Sequence, residues 1–523
     1  MTRSLHRNVG IAFLIMTVSI FLSRIIGMLR EMTIAHIAGV SGNVDAYQVA
    51  FIIPEILNHI AASGFLSVTF IPIFHHYLAE NREAEGWEAF SAIFTTFGVG
   101  VLLLIILAEA AAPQLVQLLA PGLREPALQT AAVRMTRIIL PAQFFFFCGG
   151  LFMAVQFAKG KFALPALAPL LYNIGIIAGG VLLGRQMGME GFAWGVLAGA
   201  FAGNFAIQIH GARKAGMRLR FRVAPTHPDV IRYVKLTLPL MIGMTMTFST
   251  EIFLKFFGSF LPPGNIAGLN YALRIMLALV GLFGQAAGVA SYPYLSRLAA
   301  EKQYSEMNRL LNTTLRYMAL LLPVSALLMV LRTEVVTILF QHGRFNTEAT
   351  ALTARLLLFL MTGAFAFAAQ TVVVRGFYAL QDTLLPAVFG TLAVLLSIPL
   401  YLLGLHFMGS SGVAAAISLS AILQVLILHF IWTRKTGSSE CVRIYGFYGR
   451  MLLWALASGG LLEAFRKSLR SHVLPGGFLG SLTACLIVGA AFFLLMTAAG
   501  HYFHVPEIRA LSDRIKTRLH RKG

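Results

Sequence analysis

A chain of 523 residues in which 58% of side chains are hydrophobic and only 12% charged is too apolar for an ordinary soluble domain. Its mean hydropathy is +0.77, and blocks such as 385–405 are long enough to cross a hydrocarbon core of about 30 Å, which takes about 20 helical residues. The formal charge of +20 is spread over alternate connections between these blocks, which argues against a nucleic-acid partner and for a membrane topology signal.

In chain order, hydropathy and turn signals predict helices over 9–37, 45–75, 89–111, 127–157, 164–184 and 191–211, then over 229–259, 267–295, 312–331, 349–378, 385–405, 412–432, 446–465 and 479–500. The fold class is therefore all-α and polytopic, with about fourteen transmembrane helices. No small-residue cleavage site follows the first block, so it reads as a retained helix rather than a removed signal peptide.

Ionisable groups inside such helices cost several kcal/mol unless they face a cavity or a partner, so they mark candidate sites. The first helix carries Ser23, Arg24, Arg30 and Glu31, the second Asp45, Glu55 and His59, the seventh Glu251 and Lys255, and the eighth Arg274. Arginine offers a planar fork suited to phosphate oxygens and lysine a compact charge, so Arg24, Arg30, Lys255 and Arg274 together can neutralise much of a pyrophosphate. Ser23, His59 and Glu251 join them as candidate substrate-binding residues. The competing reading is structural: Glu31 satisfies Arg30, and Glu251, four residues before Lys255, pairs with it on one helix face. Asp45 is expected at the outer end of the second helix, near that helix's positive N-terminus, as a gate or a cap; Glu31 and Glu55 are further gating candidates. Asp382, near the start of the eleventh helix, is either a ligand for a cation or a helix cap. Gly27, Pro54, Gly64, Gly243 and Gly288 let spans bend or pack closely. The cysteines Cys148, Cys441 and Cys485 have no metal-ligand spacing, and no metal site is expected.

The basic connections include Arg3 and Arg7, Lys159 and Lys161, Arg213 to Arg222, Arg434 to Arg443, and Arg509 to Lys522. That pattern predicts a multi-pass protein of the bacterial inner (cytoplasmic) membrane with both termini cytoplasmic, its basic loops touching anionic lipids. Sliding the sequence on itself by 221 residues carries Pro72 onto Pro293, Gly122 onto Gly343, Pro165 onto Pro386, Gly188 onto Gly409 and Gly191 onto Gly412. The shift predicts two parallel six-helix bundles, 1–212 and 229–434, related by a pseudo-two-fold axis along the membrane normal. A basic linker, 213–228, joins them. Two extra helices in 435–505 and an amphipathic cytoplasmic tail, 506–523, follow. Such a duplication suits alternating access, and because one chain supplies both halves, a monomer suffices.

Ser23-Arg24-Ile25-Ile26-Gly27 with Arg30, then Asp45-Ala46-Tyr47, resembles the opening of the MurJ (MviN) family of lipid II flippases. Phe162 to Pro169 with Asn173, Leu339 to Phe345, and Gly376-Phe377-Tyr378 with Gln381-Asp382-Thr383 and Pro386 are similar to further landmarks of that family. The resemblance implies the MOP exporter superfamily, a central cationic cavity, and movement of undecaprenyl-pyrophosphate-linked disaccharide pentapeptide (lipid II) from the cytoplasmic to the periplasmic leaflet. It also implies functional roles for Arg24, Arg30, Arg274 and Asp45, and a lipid-tail groove at the last two helices. The sequence departs from the family pattern at Asn58 and His59, which stand where an arginine pair is usual, and at Ser63, Leu273 and Leu277, which replace acids. These departures leave open an exporter of another polyprenyl-linked oligosaccharide or amphiphile, and a non-transporting scaffold for envelope synthesis. There is no ATP-binding loop or nucleophile motif. The chain therefore reads as no enzyme, without cofactors, driven by a coupling monovalent cation or the membrane potential.

Overall fold

The computed structural model describes residues 2–502 apart from 63–64, 244, 439 and 473–476, and all regular structure among the described residues is helical. Ser63, Gly64 and the 506–523 tail lie outside the described residues. The chain forms two compact units, residues 1–267 with 343–345, and residues 268–342 with 346–523.

In the first unit, α1 (Thr2–Ala38) is followed by an interrupted span made of α2 (Gly42–Ala50), α3 (Ile52–Leu57), a π-helical turn (Asn58–Ala62) and α4 (Phe65–Ala79). Next come α5 (Glu83–Ala110), the short α6 (Ala112–Leu119), α7 (Pro126–Ile139), α8 (Ala142–Ala158) and α9 (Ala163–Met187). Then α10 (Met189–Ala200), a second π-helical turn (Phe201–Ala206), α11 (Ile207–Lys214), α12 (Pro228–Gly243) and α13 (Thr245–Gly258) complete it. The core is aromatic: Phe70, Phe74, Phe90, Phe147 and Phe152 are fully buried, with Phe94 and Phe152 stacked at 5.4 Å. Between α9 and α10 the packing is set by glycine. A Cβ at Gly179 would stand 2.5 Å from the Gly191 carbonyl oxygen, so only hydrogen fits.

α14 (Asn265–Val280) begins at the end of the first unit and continues into the second as a third π-helical turn (Gly281–Gln285) and α15 (Ala286–Ala300). The second unit goes on through α16 (Tyr304–Ala319), α17 (Leu321–Val330), α18 (Arg332–Phe340), α19 (Thr347–Met361), α20 (Ala364–Ala379), α21 (Leu384–Thr436), α22 (Cys441–His472) and α23 (Gly477–Tyr502). Two apolar clusters dock α22 on α16 and α17: Ala319 and Leu322 against Phe447 and Met451, and Val330 and Leu331 against Leu462. The 53 residues of α21 would run about 80 Å as one rod at about 1.5 Å per residue. Gly409, at φ 56° and ψ −128°, breaks it into two helices.

Among the described residues, eight helices are long and apolar enough to cross a membrane, or nine if α19 and α20, bent by 45°, count as one span. The expected fourteen are not all recovered by length and composition. The second span is interrupted at Phe51 between α2 and α3, and residues 63–64 of that span and 244 of the seventh lie outside the described residues.

Positive φ recurs at an interval of 221 residues, at Asn81 and Lys302, Gly160 and Gln381, Gly188 and Gly409, and Gly216 and Gly437. The π-helical turns Asn58–Ala62 and Gly281–Gln285 match within two residues at the same interval. The short helices α6 and α18, absent from the sequence expectation, correspond in the same way. Joint geometry has thus been kept where side chains have diverged.

Candidate functional site

Of the two arginines in the second half of α1, one is left open and one is satisfied. Arg24 is exposed and makes no hydrogen bond or ion pair among the described residues. One and a half turns on, the Arg30 Nη2 meets Glu31 at 2.6 Å, and its Nη1 donates to the Asn173 side-chain oxygen at 3.1 Å. Asn173 is itself held by donating to the Pro169 carbonyl at 2.9 Å. The buried Glu31 therefore neutralises Arg30 and, with α9, fixes its direction. Ser23, beside Arg24, is half-buried.

On the interrupted second span, Glu55 accepts from the Lys255 ammonium of α13 at 2.7 Å. This corrects the expected Glu251–Lys255 pair: spacing of four permits contact on one face, but Lys255 is 4% exposed and finds its carboxylate on α3 instead. Glu251 lies close enough to act electrostatically on His59, which is half-buried. Asn58, at one of the positions where the family pattern has arginine, donates to Gln143 of α8 at 3.1 Å and is part of the scaffold.

Asp45 sits in the first turn of α2 and is 3% exposed. Its carboxylate caps a different helix from its own: Oδ2 accepts the Gly264 N–H at 2.5 Å and Oδ1 the Ala267 N–H at 2.7 Å, at the start of α14. The N-terminus of a helix presents unpaired N–H groups and partial positive charge, so a buried carboxylate is stable there.

In the second unit, Arg274 of α14 is half-buried, beside the buried Leu273. Asp382 accepts the Leu385 N–H at 3.0 Å at the start of α21 and is paired with Lys435. Burial opposes the charge on Asp382, but the Leu385 N–H and the Lys435 ammonium outweigh it and hold the carboxyl below its ordinary value. Sequence reading missed a further network: Arg466 of α22 bridges Glu334 of α18 at 2.9 Å and Glu463 at 2.8 Å, and Arg470 stands 3.3 Å from Glu334. The available signal was Glu463, Arg466, Lys467 and Arg470 at helical spacing, but 466–470 lay beyond the expected end of the helix at 465.

Glycine-packed helices, long apolar spans and charges held inside apolar segments define a polytopic membrane protein. Its fold is similar to those of solved membrane proteins. A lipid II flippase MurJ in an inward closed conformation matches with a TM-score of 0.75 at 22% identity, covering 94% of this chain and 99% of that one. An inward-facing multidrug resistance MATE family transporter of the MOP superfamily matches with a TM-score of 0.66 at 13% identity, covering 83% and 98%. In sequence, the lipid II flippase MurJ of Burkholderia cenocepacia is 29% identical over 503 residues, covering 92% of this chain and 96% of the relative. The probable lipid II flippase MurJ of Vibrio cholerae is 26% identical over 427 residues, covering 80% and 81%. The family model for lipid II flippase MurJ matches residues 34–483. The chain belongs to the MurJ lipid II flippase family.

Proposed function

We propose that this protein moves lipid II, the undecaprenyl-pyrophosphate-linked peptidoglycan precursor, from the cytoplasmic to the periplasmic leaflet of the bacterial inner membrane. The observation that carries the reading, beside family membership, is Arg24. Arg30 and Lys255 are neutralised by Glu31 and Glu55, whereas Arg24 is exposed and keeps an open guanidinium within the apolar stretch of α1. A planar fork of donors is the group best suited to capture pyrophosphate oxygens in a medium of low dielectric. Arg274 of α14, half-buried, is the corresponding candidate in the second unit. Asp45 serves the transport cycle by holding the start of α14, and release of that cap is a step in gating.

Both termini face the cytoplasm in this reading, the working unit is a monomer, and the membrane potential supplies energy at about 2.3 kcal/mol per charge per 100 mV. A monovalent cation bound near Asp382 is the alternative source. The cargo being another polyprenyl-linked glycan is favoured by one feature, the use of Asn58 as scaffold where the family pattern has a cation.

The test is lipid II translocation in cells depleted of their own flippase, with Arg24→Ala, Arg24→Lys and Arg274→Ala at matched expression. The parent restores periplasmic lipid II, both alanine variants lose it, and Arg24→Lys recovers part. An expressed parent that leaves lipid II in the cytoplasmic leaflet defeats the lipid II reading, and transport by Arg24→Ala at the parental rate defeats the site.

A further inference from the structure

The 32 residues of α22 span about 48 Å, so Arg470 lies at the far end of that helix from the basic connection at Arg434 to Arg443. At that end the second unit holds a cavity of about 520 Å³, walled by Arg332 and Thr333 of α18, Thr347 and Arg355 of α19, Arg470 of α22 and Ser481 of α23. It adjoins the apolar cluster of Val330, Leu331, Leu462 and Val488.

The charges around this cavity do not cancel. Arg466 is committed to Glu334 and Glu463. Arg470 leans on Glu334 at 3.3 Å, and Arg332 donates to the Met329 carbonyl while standing 3.9 Å from Glu463. Arg355 is exposed and makes no hydrogen bond or ion pair among the described residues. With Lys467 beside Arg466, five bases face Glu334, Glu463 and the exposed Glu348, leaving an excess of positive charge. The wall also contains the start of α19. There Asn346 takes the Ala349 N–H at 2.8 Å at the N-terminus of a 15-residue helix, the end that carries partial positive charge.

In the topology proposed above this end is periplasmic, where the positive-inside bias disfavours arginine and lysine. A cluster of bases retained against that bias needs an anion. We propose that this cavity holds the phosphate group of an anionic lipid in the outer leaflet, with the forks of Arg355 and Arg332 and the hydroxyls of Thr333, Thr347 and Ser481 around its oxygens. The inference rests on the topology of the reading above but not on its cargo. A bilayer phospholipid and a polyprenyl pyrophosphate that has just crossed share this chemistry, and they differ in what they compete with.

The test uses the purified full chain in an Arg24→Ala background, which removes the open guanidinium of α1. Native mass spectrometry measures binding of phosphatidylglycerol, farnesyl pyrophosphate and phosphatidylcholine, with and without Arg355→Gln and the Arg332→Gln, Arg355→Gln pair. Binding of an anionic probe should weaken at least about tenfold on loss of Arg355, and further in the pair, since a hydrogen-bonded charge contact contributes about that factor. Phosphatidylcholine should not respond. A fall for phosphatidylglycerol alone identifies a resident phospholipid, and a fall for farnesyl pyrophosphate alone identifies the translocated carrier lipid. Unchanged binding of both overturns the proposal and leaves the arginines as interfacial side chains. The face is read separately in spheroplasts. An Arg355→Cys variant, with Cys148, Cys441 and Cys485 replaced by alanine, should react with a membrane-impermeant maleimide. Failure to react overturns the outer-leaflet assignment whatever the translocation assay gives.

Discussion

Replacing Glu55 by glutamine isolates the ion pair that joins the second span to α13. At 2.7 Å the Glu55–Lys255 attraction is worth roughly 6 kcal/mol gross at an effective dielectric near 20, before desolvation of the ammonium is subtracted. The two partners are unequally buried: the lysine side chain is 5% exposed and the carboxylate 31%. Removing Glu55 strands a cation in a dry site, for which a loss of about 3–5 kcal/mol is typical. Changing Lys255 to methionine removes the charge while keeping most of the volume, and leaves a carboxylate that water already reaches, so the loss should be about 1–2 kcal/mol. The double variant should resemble Lys255→Met alone, because the second change removes what the first stranded. Unfolding in detergent, followed by the helical circular dichroism signal, compares the four proteins. Equal losses for the two single variants, summing in the double, would refute the asymmetry and show that the pair is not what holds α13 in place.

Asp45→Asn keeps the size but loses the charge and one of two accepting oxygens at the start of α14, so stability should fall by about 2 kcal/mol and translocation should change with it; a melt superimposable on the parent's argues against the cap. At Gly412 an added Cβ would stand 1.8 Å from the Gly404 carbonyl oxygen, so Gly412→Val should cost at least about 1–3 kcal/mol or abolish accumulation in the membrane, whereas Gly446→Ala, with open space around it, should be neutral by the same accumulation assay. Asp382 has a folded pKa below its unfolded one, so its contribution is complete above the unfolded value near 3.9 and is lost as pH falls through the lower folded value. The stability difference between parent and Asp382→Asn should therefore be flat from pH 7 to about 5 and shrink below about 4; a difference that grows on acidification contradicts the pairing with Lys435.

Hydropathy revealed the apolar spans because crossing a bilayer forces about 20 apolar residues into one stretch, and the 221-residue interval seen in the sequence recurs in the positive-φ positions and in α6 and α18. Arg30 with Glu31 was legible as neighbours. The Lys255 partner was not: Glu55 lies 200 residues away, and only the fold brings them together. Asp45 was expected near the N-terminus of its own helix, but its carboxylate reaches a different one, a relation between helices that no local pattern encodes. The Glu334–Arg466 network was hidden because α22 continues to His472 through charged residues, while the hydropathy signal stops near 465.

The π-helical turn at Asn58–Ala62 changes how residues on the second span should be compared with those of its relatives. Each such turn inserts one residue into the helical repeat, and one residue is about 100° of rotation. A helical wheel drawn through the span as one α-helix therefore loses its phase at the turn by about a quarter-turn. Deleting a single residue within 58–62 should act as a rotational switch, reorienting the α4 face while leaving composition and length almost unchanged. Length differences of one residue between relatives here are accordingly differences in which face of the helix is presented, and they deserve weight that a gap in an alignment seldom receives.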